Sequence, residues 1–457
     1  MGGSIVAAPT DTDNPYYTLE TSIKKGLDSL TDLSPLRCIF RVPDRLRRVR
    51  EEAYTPRVIS IGPFHHGKKA LKAMEDHKKR YLRRFMGRFN LELKDYIRKM
   101  KDQEAKLRSC YPESIELSSD DFVRIILVDA IFVIEFLLRN SKVAFRDEND
   151  CIFGKPRMIE DVLPDLLILE NQLPFFILKD LFDPDIFKVP SECFNRPDDF
   201  VERLSIGFLY NVVLVGGTAS RGMSFEVLLK KICSSKEEVQ HFVDLLRKLW
   251  LASLSNKPPA TLVETQEVAP RLIKRKTAPT IEKLHQAGVK FEVGSTTNLF
   301  DIQFKDGILK IPKLKTGDST ELKLRNLIAF EQCSTTSDDY YISDYVSLMD
   351  ELVDTPKDVE LLVKYEIVEN DLGGGDHELS SLINSLSTGI IYDSKNFYYG
   401  EICGNLDKFI RSKWHKRMAI LRRNYFNTPW ATISFVAAVV LIIFTAIQTI
   451  CSIISLK

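Results

Sequence analysis

Apolar residues recur at helical spacing through most of the chain, and this pattern predicts a mainly α-helical body. In the densest stretch, from about residue 121 to residue 139, apolar side chains cover nearly every face of the predicted helix. A helix that is apolar all round lies at the centre of a large core or inside a membrane. Arg124, Asp129 and Glu135 interrupt this one too early for a membrane span. We therefore expect it to be the hub of the core.

A second apolar block, residues 162–178, is interrupted by Pro174. Proline removes a backbone N–H and kinks or restarts a helix at that point. Glu170, Asn171 and Gln172 lie just before the break, where polar side chains can bond the backbone groups that it frees. We expect this structural use of the three side chains, and the alternative is a trio that faces a ligand.

One clear strand pattern occurs, between residues 300 and 311. Apolar and polar residues alternate up to Asp306-Gly307, and a second apolar run follows. A two-residue turn needs positive φ at both positions, which Asp-Gly tolerates, so this segment predicts a β-hairpin. Residues 58–61 are also strand-like. The expected fold class is mainly α, of the α+β type, with a small β-hairpin element and one C-terminal transmembrane helix.

The predicted membrane span is the run from residue 429 to residue 456, which contains no charged residue. About 20 apolar residues suffice to cross a bilayer as a helix. An indole at the start of the run suits the headgroup layer. The side chains that we assign to the span include Trp430, Phe435, Val440, Ile443, Phe444 and Ile447.

A basic segment, residues 405–428, precedes this run, and its apolar residues recur at helical spacing. Its bases are Lys408, Arg411, Lys413, Lys416, Arg417, Arg422 and Arg423. We interpret it as a juxtamembrane helix that faces anionic cytoplasmic lipid, and a solvated helix face is the alternative. The start of the chain has no secretory signal pattern. We expect a tail-anchored, single-pass protein of the plasma membrane or an endomembrane, with its body in the cytosol.

Composition divides the chain into six segments. They are a flexible N-terminal tail (1–35), a helical core (36–251), a mobile proline-containing linker (252–280), a second half with the hairpin (281–404), the basic juxtamembrane helix (405–428) and the anchor (429–456).

Charge and cysteine content exclude several classes of protein. The chain has 64 Lys and Arg against 63 Asp and Glu, so no global field points to nucleic acid. The local excess of bases between Lys68 and Arg108 shares its helices with apolar and acidic residues, as in a solvated helix face, so nucleic-acid binding is not expected. The 8 cysteines form no CxxC pair, which predicts buried, reduced thiols.

Motifs for catalysis or cofactor binding are incomplete. Residues 62–69 match GxxxxGK, but Lys69 replaces the Ser or Thr that binds magnesium, and Pro63 lacks a backbone N–H needed for phosphate. His65, His66 and His77 lack the spacing of a familiar metal site, so we interpret them as loop and helix-cap residues. We predict no catalytic, cofactor-binding or metal site.

Several short motifs carry a family resemblance. Residues 41–43 (RVP), 54–56 (YTP) and 60–67 (SIGPFHHG) resemble the opening signature of the plant DUF247 family, also called UPF0481. The match continues in order through residues 129–135, 169–176, 287–291, 325–332, 425–426 and 429–430. The resemblance implies a largely helical plant protein with one C-terminal membrane span and no established reaction. Some grass members are associated with self-incompatibility.

We therefore expect a membrane-anchored, non-enzymatic component of recognition, interaction or signalling, with membrane lipid and an unidentified protein as partners. The sequence specifies no small-molecule ligand. The alternative is an enzyme of unknown reaction that uses buried carboxylates. The candidate polar core or pocket comprises Asp129, Glu135, Glu170, Asn171, Gln172 and Glu331. Carboxylates that converge on one open pocket would favour the enzyme, whereas carboxylates held by backbone or arginine partners would disfavour it.

Overall fold

The computed structural model describes residues 16–28, 34–155, 157–182, 199–215, 224–235, 237–252, 277–296, 298–334, 340–392, 396–412 and 429–455. They form a mainly helical structure with a small amount of sheet, as expected. The helices are α1 (Tyr17–Asp28), α2 (Asp44–Arg47), α3 (Lys72–Phe89), α4 (Leu93–Ser109), α5 (Ser119–Ser141), α6 (Met158–Asp165), α7 (Phe175–Leu181), α8 (Phe200–Val215), α9 (Phe225–Cys233), α10 (Phe242–Leu251), α11 (Ile281–Gln286), α12 (Thr320–Cys333), α13 (Tyr341–Leu352), α14 (Pro356–Lys364), α15 (Gly375–Leu386), α16 (Gly400–Arg411) and α17 (Pro429–Ser455). The strands are β1 (Lys290–Val293), β2 (Gln303–Lys305), β3 (Ile308–Ile311), β4 (Leu314–Thr316) and β5 (Val368–Asn370).

Helix α5 is the hub of the core, which confirms the prediction from its apolar pattern. Ser118 caps the helix, because its hydroxyl oxygen accepts a hydrogen bond of 3.1 Å from the Asp121 N–H. Nearly all of the side chains from Phe122 to Arg139 are buried. The helix packs against α3, α4, α7 and α8. Its neighbours therefore cover all of its faces, as a helix that is apolar all round requires.

The predicted hairpin is confirmed. Strands β2 and β3 pair antiparallel, and the turn residues Asp306 and Gly307 have φ of 52° and 77°. Strand β1 pairs parallel with the other side of β3, and β4 pairs parallel with β5. The sequence pattern did not predict β1, β4 or β5. They are as short as β2 and β3, but they pair in parallel, so no two-residue turn such as Asp306-Gly307 marks them in the sequence.

The strand-like segment 58–61 forms no strand, so that prediction is wrong. Its backbone N–H groups bond to side chains instead of a neighbouring strand. The N–H groups of Arg57, Val58 and Ile59 donate to the Asp165 carboxylate at 2.9, 2.7 and 2.8 Å. The N–H of Ile61 donates to the Asn171 side-chain oxygen at 2.7 Å. These side chains hold the segment in an extended conformation. Its sequence therefore has the pattern of a strand although, among the described residues, no strand pairs with it.

The structure describes only part of the C-terminal region for which the sequence made predictions. Lys408 and Arg411 lie in α16, whereas the juxtamembrane bases from Lys413 to Arg423 lie outside the described residues. Most of the predicted linker, residues 253–276, also lies outside them, and residues 17–28 of the predicted tail form α1. Counting only residues described with their side chains, no helix is long and apolar enough to cross a membrane, so the predicted span is not confirmed.

Candidate functional site

Asp129 lies on α5 and forms a buried ion pair with Lys78 of α3. The Lys78 ammonium is 2.5 Å from the Asp129 carboxylate and 2.6 Å from that of Glu75. It also donates to the carbonyl of Ser60 at 2.9 Å, and the N–H of Gly62 donates to Asp129 at 2.9 Å. Burial opposes the charge on Lys78, but the two carboxylates outweigh it and hold the pKa of Lys78 above its usual value. The pair fastens the extended segment to α3 and α5.

Glu135, further along α5, is held by two arginines. Arg88 donates two hydrogen bonds to its carboxylate, at 2.7 and 2.8 Å, and Arg139 donates a third at 2.8 Å. Burial nevertheless raises the pKa of Glu135. This arrangement joins α3 to α5 and leaves both carboxylate oxygens engaged with the protein itself.

Glu331, on α12, is similarly engaged. Its carboxylate accepts hydrogen bonds from the N–H groups of Ile342 and Ser343 at 3.2 and 2.8 Å, and from the Ser343 hydroxyl at 2.9 Å. Arg247 of α10 lies 3.2 Å from it. Burial raises the pKa of Glu331. The residue therefore joins α10, α12 and the start of α13.

Asn171 and Gln172 bond to backbone groups around the turn before α7. Asn171 donates to the carbonyls of Ile59 and Asp165 at 3.0 and 2.9 Å. Gln172 donates to the carbonyls of Leu166 and Ile168 at 2.8 Å, and its side-chain oxygen accepts from the Phe242 N–H at 3.0 Å. Both side chains satisfy backbone groups, which is the structural use that the sequence suggested for them.

Glu170 differs from its two neighbours because it adjoins a pocket. One carboxylate oxygen accepts a hydrogen bond of 2.7 Å from the Val42 N–H and another from the Arg47 side chain. The second oxygen is buried without a hydrogen-bond partner of good geometry, and it lies 3.4 Å from the Nε2 of His65 and 3.7 Å from a terminal nitrogen of Arg41. His65 is only 2% exposed, and neither of its ring nitrogens has a hydrogen-bond partner among the described residues. We call this arrangement the His65–Glu170 pair.

The pocket beside this pair has a volume of about 400 Å³. Its rim carries Arg41, Lys68 and Glu113, and the Arg41 guanidinium lies 4.2 Å above the ring of Phe64. Residues from the motifs 41–43, 60–67 and 169–176 thus meet here, although they are far apart in the sequence. We call the cavity the His65–Glu170 pocket.

The pKa values of both members of the pair are lowered, for different physical reasons. Burial lowers the pKa of His65, which favours a neutral imidazole near pH 7. Burial alone would raise the pKa of Glu170, but His65, the Val42 N–H and Arg47 outweigh it and lower the pKa. A neutral imidazole beside an ionised carboxylate can exchange hydrogen bonds with a ligand or accept a proton.

The other candidate histidines have separate surroundings. His66 lies 4.0 Å from the Glu75 carboxylate, and His77 shares a hydrogen bond of 2.9 Å with Arg80. No group of three His, Cys, Asp or Glu side chains suited to a metal ion occurs in the part of the chain that the structure describes.

The sequence indicated Glu170 as a candidate residue, but it did not indicate that Glu170 and His65 line one pocket. The repeated histidine in residues 60–67 was the one available signal.

Comparison with known proteins gives the family. A family model described as "Plant protein of unknown function", DUF247, matches residues 39–444. The UPF0481 protein At3g47200 of Arabidopsis thaliana is 25% identical over 433 residues, covering 92% of this chain and 86% of its own length. The putative UPF0481 protein At3g02645 of the same plant is 25% identical over 504 residues, covering 93% of each chain. No solved structure matches. The chain therefore belongs to the DUF247 family of plant proteins, as its motifs indicated.

Proposed function

We propose that this chain is a membrane-attached, non-enzymatic binding protein that recognises a polar group of its partner at the His65–Glu170 pocket. The supporting observation is the buried imidazole of His65, which has no hydrogen-bond partner among the described residues and lines a pocket. An unsatisfied buried polar group costs about 1–3 kcal/mol. A partner that bonds to it removes this cost, so the pocket favours a ligand with hydrogen-bonding groups.

The buried carboxylates support binding over catalysis. Asp129, Glu135 and Glu331 each bond to a different set of groups from the chain itself, and none of the three lines the His65–Glu170 pocket. A hydroxyl residue, Thr55, does line it, but its hydroxyl donates to the carbonyl of Glu51 at 3.3 Å. A nucleophile paired with a base would require a hydroxyl that faces the imidazole.

Affinity capture from native plant membranes tests the proposal. The full chain and its His65→Gln variant serve as baits, with His66→Gln as the matched control, because His66 is the adjacent residue and does not line this pocket. We expect partners retained by the wild type and by His66→Gln to be lost from His65→Gln. Equal recovery with all three baits would contradict recognition at the pocket.

Membrane attachment rests on α17 and its flank. Helix α17 extends over Pro429–Ser455 and exposes apolar side chains such as Val440 and Phe444. The hydroxyls of Thr445 and Thr449 donate to carbonyls one turn earlier, both at 2.7 Å, so they need no water. Helices with internally satisfied polar groups suit a bilayer. The basic flank, residues 405–428, favours a cytosolic body by the positive-inside tendency.

Glycosylation mapping tests this orientation. One acceptor is engineered into the linker, residues 252–280, and another into a short extension after Lys457. We expect sugar on the extension only. Sugar on the linker would place the body outside the cell or in the lumen, and sugar on neither site, together with release from membranes by high salt, would argue against insertion.

The second candidate is an enzyme that uses the His65–Glu170 pair as a general base with an orienting carboxylate. The distance of 3.4 Å between Nε2 and the carboxylate favours it, because such pairs often tighten when substrate binds. The same capture experiment distinguishes the two candidates. A binding partner remains associated and unaltered, whereas a substrate would be converted by the wild type and by His66→Gln but accumulate on His65→Gln.

A further inference from the structure

A second cavity lies beside α3, and it shares no lining residue with the His65–Glu170 pocket. Its volume is about 1050 Å³, and it lies between the second half of α3 and residues 147–151. Five arginines and three carboxylates line it: Arg80, Arg83, Arg84, Arg88, Arg139, Asp147, Glu148 and Asp150. We call it the arginine cleft. We propose that the arginine cleft binds a phosphomonoester group carried by a small hydroxylated molecule.

The inner wall of the cleft is rigid. Arg139 is 1% exposed and lies 4.2 Å above the ring of Tyr81, and it bonds to both Glu135 and Asp150. The hydroxyl of Tyr81 donates to Asp150 at 2.9 Å. Arg88 bonds to Glu135 through both of its terminal nitrogens. These bonds hold both guanidinium groups in fixed positions and engage most of their N–H groups, so they supply fixed positive charge. A ligand would draw its hydrogen bonds mainly from the outer arginines.

The outer arginines are available to a ligand. Arg80 and Arg83 lie one helical turn apart on α3, and both are exposed. Among the described residues neither has a carboxylate within 4 Å, and Arg80 has only His77 as a hydrogen-bond partner. The cleft therefore has an excess of positive charge at its mouth, where an incoming anion first meets the protein.

Gly87 keeps the cleft open. It lies on the same face of α3 as Arg80 and Arg83, and it lines the cavity. A Cβ atom added at Gly87 would have no other atom within 4 Å. A larger side chain at this position would project into the space that the ligand needs.

The chemistry of the walls selects the class of ligand. Guanidinium groups bind phosphate through two parallel hydrogen bonds, and two neighbouring arginines suit a dianion. Asp147, Glu148 and Asn149 line the cleft as well, and their side-chain oxygens can accept hydrogen bonds from hydroxyl groups. These carboxylates would repel a continuous polyanion such as a nucleic-acid backbone. A phosphorylated polyol satisfies both kinds of wall, whether it is a soluble molecule or the headgroup of a lipid.

Binding measurements on the full chain in detergent micelles test the proposal. The probes are soluble inositol trisphosphate and short-chain phosphatidylinositol bisphosphate dispersed in the micelles. We expect Arg80→Gln/Arg83→Gln to weaken binding at least ~10-fold, because each charged hydrogen bond contributes roughly one such factor. Binding of both probes identifies the headgroup as sufficient, and binding of the second alone identifies a lipid as the source. Failure of both probes to bind the wild type would overturn the proposal.

Two further variants separate the cleft from general charge effects. Lys79→Gln/Arg98→Gln removes the same charge from exposed positions that do not line the cleft, so it should leave affinity within ~2-fold. Gly87→Phe removes no charge but fills the cleft, and we expect it to abolish binding. A loss as large for the charge control as for Arg80→Gln/Arg83→Gln, or unchanged affinity in Gly87→Phe, would each contradict binding in the cleft. This inference does not depend on the function proposed for the His65–Glu170 pocket.

Discussion

The loop from Ser60 to His65 contacts two buried acid–base pairs, which differ in how completely they are hydrogen-bonded. In the Lys78–Asp129 pair, both residues bond to each other and to the loop's backbone. In the His65–Glu170 pair, the imidazole and one carboxylate oxygen have no hydrogen-bond partner among the described residues, and a pocket adjoins them. Burial raises the pKa of Asp129 in the first pair and lowers the pKa of His65 in the second. Asp129 also lines a cavity, of about 570 Å³, so burial, a shifted pKa and a neighbouring cavity are common to both pairs. Only the incomplete hydrogen bonding distinguishes the second pair, and it is the observation on which we base the proposed binding site.

The largest effect should come from breaking the satisfied pair. Lys78→Met leaves the Asp129 carboxylate buried without its counter-ion, and removing one member of a buried ion pair costs about 3–5 kcal/mol. Denaturant unfolding measures this loss of unfolding free energy. Lys79→Met is the matched control, because Lys79 is largely exposed and should change stability by less than ~1 kcal/mol. Similar losses in both variants would show that Lys78 does not hold the loop.

A smaller effect should come from Gly62, inside this loop, and from Gly67, two residues beyond it. Gly62 and Gly67 have φ of +74° and +81°, a conformation that costs other residues about 1–2 kcal/mol. A Cβ on Gly62 would also lie 2.6 Å from the backbone oxygen of Gln172, whereas one on Gly67 meets no atom within 4 Å. We expect Gly62→Ala to lower the unfolding free energy by at least ~2 kcal/mol, and Gly67→Ala by about 1 kcal/mol. Equal losses would mean that the loop moves away from Gln172 at little cost.

The Glu170 carboxylate should give stability a dependence on acid pH. Its pKa is lowered in the folded protein, so its contribution is present above the usual pKa near 4.5 and is lost as the pH falls through the folded value. Glu170→Gln lacks this contribution. We expect the variant to be less stable than the wild type by about 1–3 kcal/mol at pH 7, and the difference to shrink below pH ~4.5.

Denaturant unfolding of the two proteins at several pH values from 7 to about 3 tests this expectation. Glu113→Gln serves as the control, because the Glu113 side chain is 51% exposed and pairs with Arg41 at the rim of the pocket. Its difference from the wild type should be small at every pH. A difference for Glu170→Gln that stays constant to pH 3 would contradict the lowered pKa.

The sequence predicted the local features and missed the long-range ones. Helix α5 and the Asp306-Gly307 turn follow from patterns within one segment. The partner of Asp129 is Lys78, 51 positions earlier in the chain, and no spacing rule connects them. Segment 58–61 was predicted as a strand because side chains, rather than a neighbouring strand, satisfy its backbone.

The site shows the same limit. The sequence drew attention to Glu170, Asn171 and Gln172 as one polar trio, yet two of them bond to backbone groups and only Glu170 lines the pocket. Adjacent residues in a turn point in different directions, and a sequence does not specify which. His65 and His66 illustrate this too, since only His65 lines the pocket with Glu170.

The smallest effect, and the one that distinguishes the pairs most sharply, should come from His65→Gln. Because the ring nitrogens of His65 make no hydrogen bond with the described residues, its replacement should change the unfolding free energy by less than ~1 kcal/mol at pH 7.5, far less than Lys78→Met. Its pKa is lowered from 6.5 in the folded protein, so the folded state prefers the neutral imidazole. The wild type should therefore lose stability as the pH falls below about 6.5, and His65→Gln should lose less. Denaturant unfolding at pH 7.5 and pH 5.5 tests both expectations. A large loss at pH 7.5 would show that His65 supports the fold in the way that Lys78 does, and the contrast between the two pairs would then disappear.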